Sequence, residues 1–140
     1  MAQLTKADHW PTHIDESRVK KARYATFFGF FQLGAMILVW STSTTPLRES
    51  LGWIGADGDG NFGLLALSIG IGAATGSFLI GPFLDRLGPR KTTGLTLVAG
   101  PLFYIPLAFV SNLAAAMLVG VIIGLLRGAQ DTAVNAHGIE

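Results

Sequence analysis

Three long runs without a charged residue, Tyr24 to Leu47, Gly60 to Leu84 and Thr92 to Leu126, alternate with short charged segments. Each run exceeds the ~20 apolar residues that carry a helix across a hydrocarbon core. The third is long enough for one crossing, a turn and much of another, and Ser111-Asn112 is its natural turn. The pattern predicts helices over about 20–46, 62–84, 92–110 and 113–136, preceded by a polar tail over 1–19. Residues Arg48 to Asn61, rich in glycine, read as a loop. The predicted fold class is an all-α membrane protein with about four transmembrane helices.

Composition agrees with this pattern. Half of the residues are hydrophobic and 14% are charged, against roughly a quarter charged in a soluble domain. A cleavable signal peptide is a rival for the first span, because Lys20, Lys21 and Arg23 precede it and Ser41 to Thr45 follow it. The apolar part from Tyr24 to Trp40 is longer than a usual signal core and further spans follow, which favours an uncleaved helix. The net charge of +1 gives no reason to expect a nucleic-acid partner. The basic residues matter through placement. Lys6, Arg18, Lys20, Lys21 and Arg23 lie before the first span and Arg86, Arg90 and Lys91 between the second and third. The first intervening loop has Arg48, and the Ser111 turn has no basic residue. The positive-inside rule then places the amino terminus and the 85–91 segment in the cytoplasm, with the chain in a plasma membrane of the bacterial inner-membrane kind and in contact with lipid.

The chain contains no cysteine, which excludes disulfides and thiolate metal sites. His9, Trp10 and His13 cluster in the tail, where a solvated segment is the favoured reading over a metal site. Asp57-Gly58-Asp59-Gly60-Asn61 resembles part of a calcium loop but lacks the remaining ligands, including the glutamate at the twelfth position. No cofactor and no metal site are expected. No nucleophile and base pair recurs at a useful spacing, so an enzyme is not expected either.

Four sets of residues carry candidate chemistry. The first is the segment Gly81-Pro82-Phe83-Leu84-Asp85-Arg86-Leu87-Gly88-Pro89-Arg90-Lys91. Gly88-Pro89 suits a tight turn, Gly81 permits close helix contact, and Asp85 is able to cap a helix or pair with a cation. Membrane topology alone explains Arg86, Arg90 and Lys91. It does not explain glycine at 81 and 88 or aspartate at 85. The second set, Arg127, Asp131 and Asn135, falls at i, i+4 and i+8, near one helix face where the first two are able to pair. An isolated charge at mid-membrane costs about 2.5–3.5 kcal/mol on insertion scales, so such residues face a bundle interior or a cavity. The other reading places them at the cytoplasmic interface. The third set is Gln32 with Ser41 and Thr42, either a polar lining of a solute path or a helix end at the interface. The fourth is Gly72 and Gly76, a GxxxG pair whose small surface suits helix packing within the chain or between copies, the former favoured in a polytopic chain. Pro101 and Pro106 are expected to bend the third helix.

The pattern G-x-x-x-D-R-x-G-x-R-K between two spans resembles the signature of the major facilitator superfamily between its second and third transmembrane helices. The resemblance covers residues 20 to 140 and implies the first part of a six-helix half. It implies a secondary active transporter that moves a small-molecule solute by alternating access, with a possible coupling proton. It also implies that Gly81, Asp85, Arg86, Gly88, Arg90 and Lys91 form a gating motif that engages helices of the opposite half. Arg127 to Asn135 is similar to the fourth helix of a MosC-like branch, which implies a small polar or sugar-like solute. Against a two-half transporter, the remaining helices are missing from this chain, so a fragment that is inactive alone is expected. The alternative is a self-assembling four-helix membrane protein, a small exporter or a scaffold. Such exporters use an acidic residue in the first helix, and the run from Tyr24 to Leu47 has none.

Overall fold

A computed structural model describes residues 16–139. The tail with His9, Trp10 and His13, and the terminal Glu140, lie outside the described residues. The described residues form helices α1 (Glu16–Ser50), α2 (Gly55–Leu79), α3 (Gly81–Leu87), α4 (Pro89–Leu102) and α5 (Leu113–Ile139), with a 3-10 helix over Ile105–Phe109 between the last two. Four segments are long and apolar enough to cross a membrane: Val19–Ser50, Gly55–Leu87, Pro89–Phe109 and Leu113–Ala136. The protein is an all-α, multi-pass membrane protein. Large apolar side chains cover its outside, among them Phe27, Phe28, Phe31, Phe78 and Phe109, as expected where the surrounding solvent is lipid.

Side-chain contacts fix the direction of each span. Gly29 lies against Val134, and Gln130 donates to Gln32, so α1 and α5 are antiparallel. Thr93 donates to the carbonyl of Ala133 while Gly100 lies against Gln130, so α4 and α5 are antiparallel too. Leu65, Ile69 and Ala73 of α2 meet Gly120, Gly124 and Gly128 of α5 in that order, so these two helices run parallel. This is the alternation that four successive crossings require. It brings the start of α1, the α3–α4 hairpin and the end of α5 to one end of the bundle.

The centre of the bundle is the α2–α5 contact. A Cβ at Gly72 or Gly76 would overlap the backbone of Val121 or Leu125, and one at Gly124 or Gly128 would overlap the carbonyls of Ile69 or Ala73. Glycines from both helices thus bring the backbones into direct contact, and Ser77 adds a 3.2 Å hydrogen bond to the Gly128 carbonyl. Apolar burial contributes little between helices that are already in lipid, so this dispersion contact supplies much of the association. The GxxxG pair is used within the chain.

The element boundaries differ from the sequence reading at several prolines and glycines. Helix α1 is already helical at Glu16 and continues through Pro46 to Ser50. At 35 residues and about 1.5 Å per residue it is roughly 50 Å long, more than a hydrocarbon core. Local hydroxyls accompany the proline: Thr42 donates to the Leu38 and Val39 carbonyls and Thr44 to that of Ser41. The expected loop over 48–61 is reduced to a short break, with α2 starting at Gly55. Gly52 and Gly55 take positive φ there, whereas Gly58 lets the first turn of α2 sit on the Trp53 backbone, where a Cβ would collide. Because Asp57 to Asn61 is helical, it does not form a calcium loop.

Arg48 closes this end by pairing with Asp59 while its guanidinium lies 5.5 Å over the Phe62 ring. Phe62 stacks on Trp40 at 5.9 Å. Asp59 is 68% exposed, and exposed ion pairs contribute at most about 1 kcal/mol. Asp59→Asn is therefore expected to lower the melting temperature by less than about 4 °C in a thermal scan.

The second span breaks at Ile80 because Pro82 has no N–H to continue the ladder, and α3 restarts with that proline in its first turn. The third span starts at Pro89, three residues earlier than expected, and changes to a 3-10 turn around Pro106. Asn112 caps α5, its side-chain oxygen accepting from the Ala115 amide at 2.9 Å.

Candidate functional site

Two groups of residues stand out, one at an end of the bundle and one inside it. The first is the α3–α4 hairpin. Gly88 alone separates the two helices, with φ 79° and ψ 156°, a region open essentially to glycine. Its amide donates to the Leu84 carbonyl at 2.9 Å, and its own carbonyl accepts from the Thr92 amide at 3.2 Å and hydroxyl at 2.9 Å. Thr92 is buried beneath the turn. The hairpin is thus a fixed corner.

The charged residues of this corner point away from it. Asp85, Arg86, Arg90 and Lys91 are exposed and, among the described residues, form no ion pair. The expected cap or ion pair at Asp85 is not formed: the turn is closed by backbone bonds and Thr92, and α4 starts without a side-chain cap. The close helix contact that Gly81 permits is also not made among the described residues, where a Cβ would meet no atom within 4 Å. Four charged side chains are therefore presented outward on a rigid turn. The same end carries Lys20, Lys21 and Arg23, whereas the opposite end carries Arg48 with Glu49, Asp57 and Asp59.

The second group lies where α1, α4 and α5 meet. Gln32 donates to the Leu97 carbonyl at 2.7 Å, and Gln130 donates to the Gln32 side-chain oxygen at 3.4 Å. Gln130 is only 2% exposed. Its own oxygen lies over Gly100, where a Cβ would stand 2.9 Å away. Arg127, one turn away on α5, is half-buried and faces the Tyr104 hydroxyl. Leu33, Met36, Gly100, Tyr104, Ile123, Arg127 and Gln130 enclose a narrow recess with room for about one water molecule.

This arrangement changes the polar face expected on the last helix. Arg127 does not pair with Asp131; it turns toward Tyr104, while Asp131 and Asn135 are exposed. The residue that joins Arg127 inside is Gln130. The buried stripe of α5 runs through Ala116, Gly120, Ile123, Gln130 and Val134, at alternating steps of three and four, with Arg127 in register. That spacing was a usable signal for Gln130. Gly120, Gly124 and Gly128 likewise form an extended small-residue series that complements Gly72 and Gly76. Ser41 and Thr42 lie on the exposed side of α1, two turns or more from Gln32, and Thr42 bonds to its own helix.

The chemistry available is hydrogen bonding and charge recognition. Among the described residues, no three histidine, aspartate or glutamate side chains gather into a metal site. No protein-family model, curated protein or solved structure matches the chain.

Proposed function

We propose that these four spans belong to a secondary transporter of the major facilitator kind, which moves a small solute by alternating access and is not an enzyme. The observation that carries the reading is the α3–α4 corner. Residues of the signature surround one glycine-only turn, and their charges face outward with no ion-pair partner among the described residues. A structural hairpin needs Gly88 and Thr92, and membrane topology accounts for Arg86, but neither has a use for an exposed Asp85. A gate that docks on other helices does. The excess of basic residues at this end supports placing it, and the amino terminus, on the cytoplasmic side. A self-assembling four-helix protein is less well supported, because the small-residue stripe that would join copies is already occupied by α5.

Alternating access is testable without a known solute. The chain lacks cysteine, so a single cysteine replacing Met36 in the recess reports its accessibility alone. In the protein it is expected to react with an impermeant maleimide from both faces of oriented vesicles. Asp85→Asn should slow labelling from one face by about tenfold, the rate equivalent of one charge-assisted hydrogen bond. Labelling from a single face in the parent, or unchanged rates in the Asp85 variant, would sink the reading.

A further inference from the structure

Arg127 is a cation with no carboxylate partner among the described residues. It lies fourteen residues beyond the start of α5 at Leu113, about 21 Å along the helix axis, and so inside the segment Leu113–Ala136 that is long and apolar enough to cross a membrane. Its neighbours around the recess are apolar except for the Tyr104 hydroxyl and Gln130. Among the described residues no carboxylate comes within ion-pair distance of it, and the carboxylate next along its helix, Asp131, faces outward. Partial burial leaves the guanidinium short of the hydration that offsets its charge, and no carboxylate among the described residues replaces it. An anion would.

The other polar groups are arranged as an anion would need them. Tyr104 brings a hydroxyl donor to the same recess. Gln130 has one amide hydrogen committed to Gln32 and a second free to donate. At Gly100 the Gln130 side-chain oxygen closes one wall of the recess, since a Cβ there would stand 2.9 Å from it. The space has room for one oxygen-sized group and not for a whole solute. A space of that size suits one oxygen of an oxyanion.

We infer that Arg127, Tyr104 and Gln130 form an anion-binding point that takes the carboxylate of a small organic acid. Its physiological meaning rests on the transporter reading, for which it names the substrate class. The arginine supplies charge and a planar pair of donors, a geometry that matches carboxylate. Gln32 positions Gln130 by accepting its first hydrogen and is itself held by Leu97.

The test uses the protein in detergent, melted in sodium acetate, lactate, succinate or citrate and, at matched ionic strength, in sodium chloride with or without glucose. At least one acid is expected to raise the melting temperature by about 4 °C or more near saturation. Arg127→Gln should abolish that shift without lowering the melting temperature in chloride, because it removes a half-buried charge together with its need for a partner. Arg127→Lys keeps charge but not the fork and should retain a weaker shift. The inference is overturned if none of the four acids stabilises the protein, or if Arg127→Gln keeps the full shift. It is also overturned if Arg127→Gln destabilises the protein while free acids have no effect, which would mean that a protein carboxylate serves as the partner. The two readings fail separately. Acid stabilisation through Arg127 with Met36Cys labelled from one face only removes the transporter and keeps the anion site. Labelling from both faces with protection by glucose alone does the reverse.

Discussion

Gly124→Leu is expected to prevent assembly of the bundle, with a loss of about 3 kcal/mol or more, at the upper end of what overpacking costs. Even the first added carbon would overlap the Ile69 carbonyl and crowd the Ala73 amide at 2.8 Å and the Gly72 Cα at 3.0 Å. None of these is the movable end of a side chain. The helices would have to separate over their whole length, because Gly72 and Gly76 apply the same constraint from the other side. The control is Gly70→Leu on the same α2 helix, where a Cβ meets nothing within 4 Å and lipid accepts a leucine. Thermal unfolding in detergent should show a collapsed or absent transition for Gly124→Leu and a parent-like one for Gly70→Leu. Similar behaviour of the two variants would mean that the α2–α5 contact is not what holds the spans together.

Gly88→Ala should have the next largest effect, for a reason of backbone and not of packing. No atom lies within 4 Å of a Cβ at Gly88, yet its φ of 79° with ψ of 156° costs other residues roughly 1–3 kcal/mol. The chain escapes that strain by moving ψ or φ, and either movement misaligns the bonds from Gly88 to Leu84 and Thr92. We expect a lower melting temperature together with loss of two-sided labelling at Met36Cys. Gly81→Ala is the informative partner experiment. Gly81 is helical with open space around it, so alanine there should be neutral or slightly stabilising in the melt. A Gly81→Ala variant that melts normally but loses two-sided labelling would locate a close contact between this glycine and a surface that docks on the bundle. A normal result in both measurements would restrict the motif's glycine requirement to position 88.

The number and order of the spans could be read from the sequence because charge is so costly in a hydrocarbon core that its absence marks a crossing. The positions of proline and glycine were poorer guides. Pro46 reads as a helix end, but one missing N–H near the end of a long helix costs little when the rest of the turn is bonded. Gly58 and Gly60 read as loop, yet Gly58 is helical because tertiary contact with Trp53 demands the smallest residue. In the candidate site, Gln32 was recognisable as a lone amide in an apolar run. Gln130 carried a signal too, its place on the alternating three-and-four line, but Arg127, Asp131 and Asn135 draw attention instead to an i, i+4 line that turns away from the core. Successive steps of four advance about 40° beyond a full turn, whereas alternating steps of three and four keep to one face. Which side of Arg127 faces inward depends on α1 and α4, whose placement no local pattern of α5 contains. The outward charges of the 81–91 corner were readable as residues, but their lack of an internal partner was visible only in three dimensions.

The parallel pairing of α2 with α5 also sets a timetable for synthesis. Gly76 leaves the ribosome 52 residues ahead of Gly128, a delay of about 3–10 s at ordinary rates of elongation. During that interval the flat backbone strip of α2 has no native partner, and α4 must cross the membrane before one arrives. The tightest contact of the finished bundle is therefore among the last to become possible, and a nascent chain that stops short of α5 offers the strip to whatever helix next passes it in the membrane.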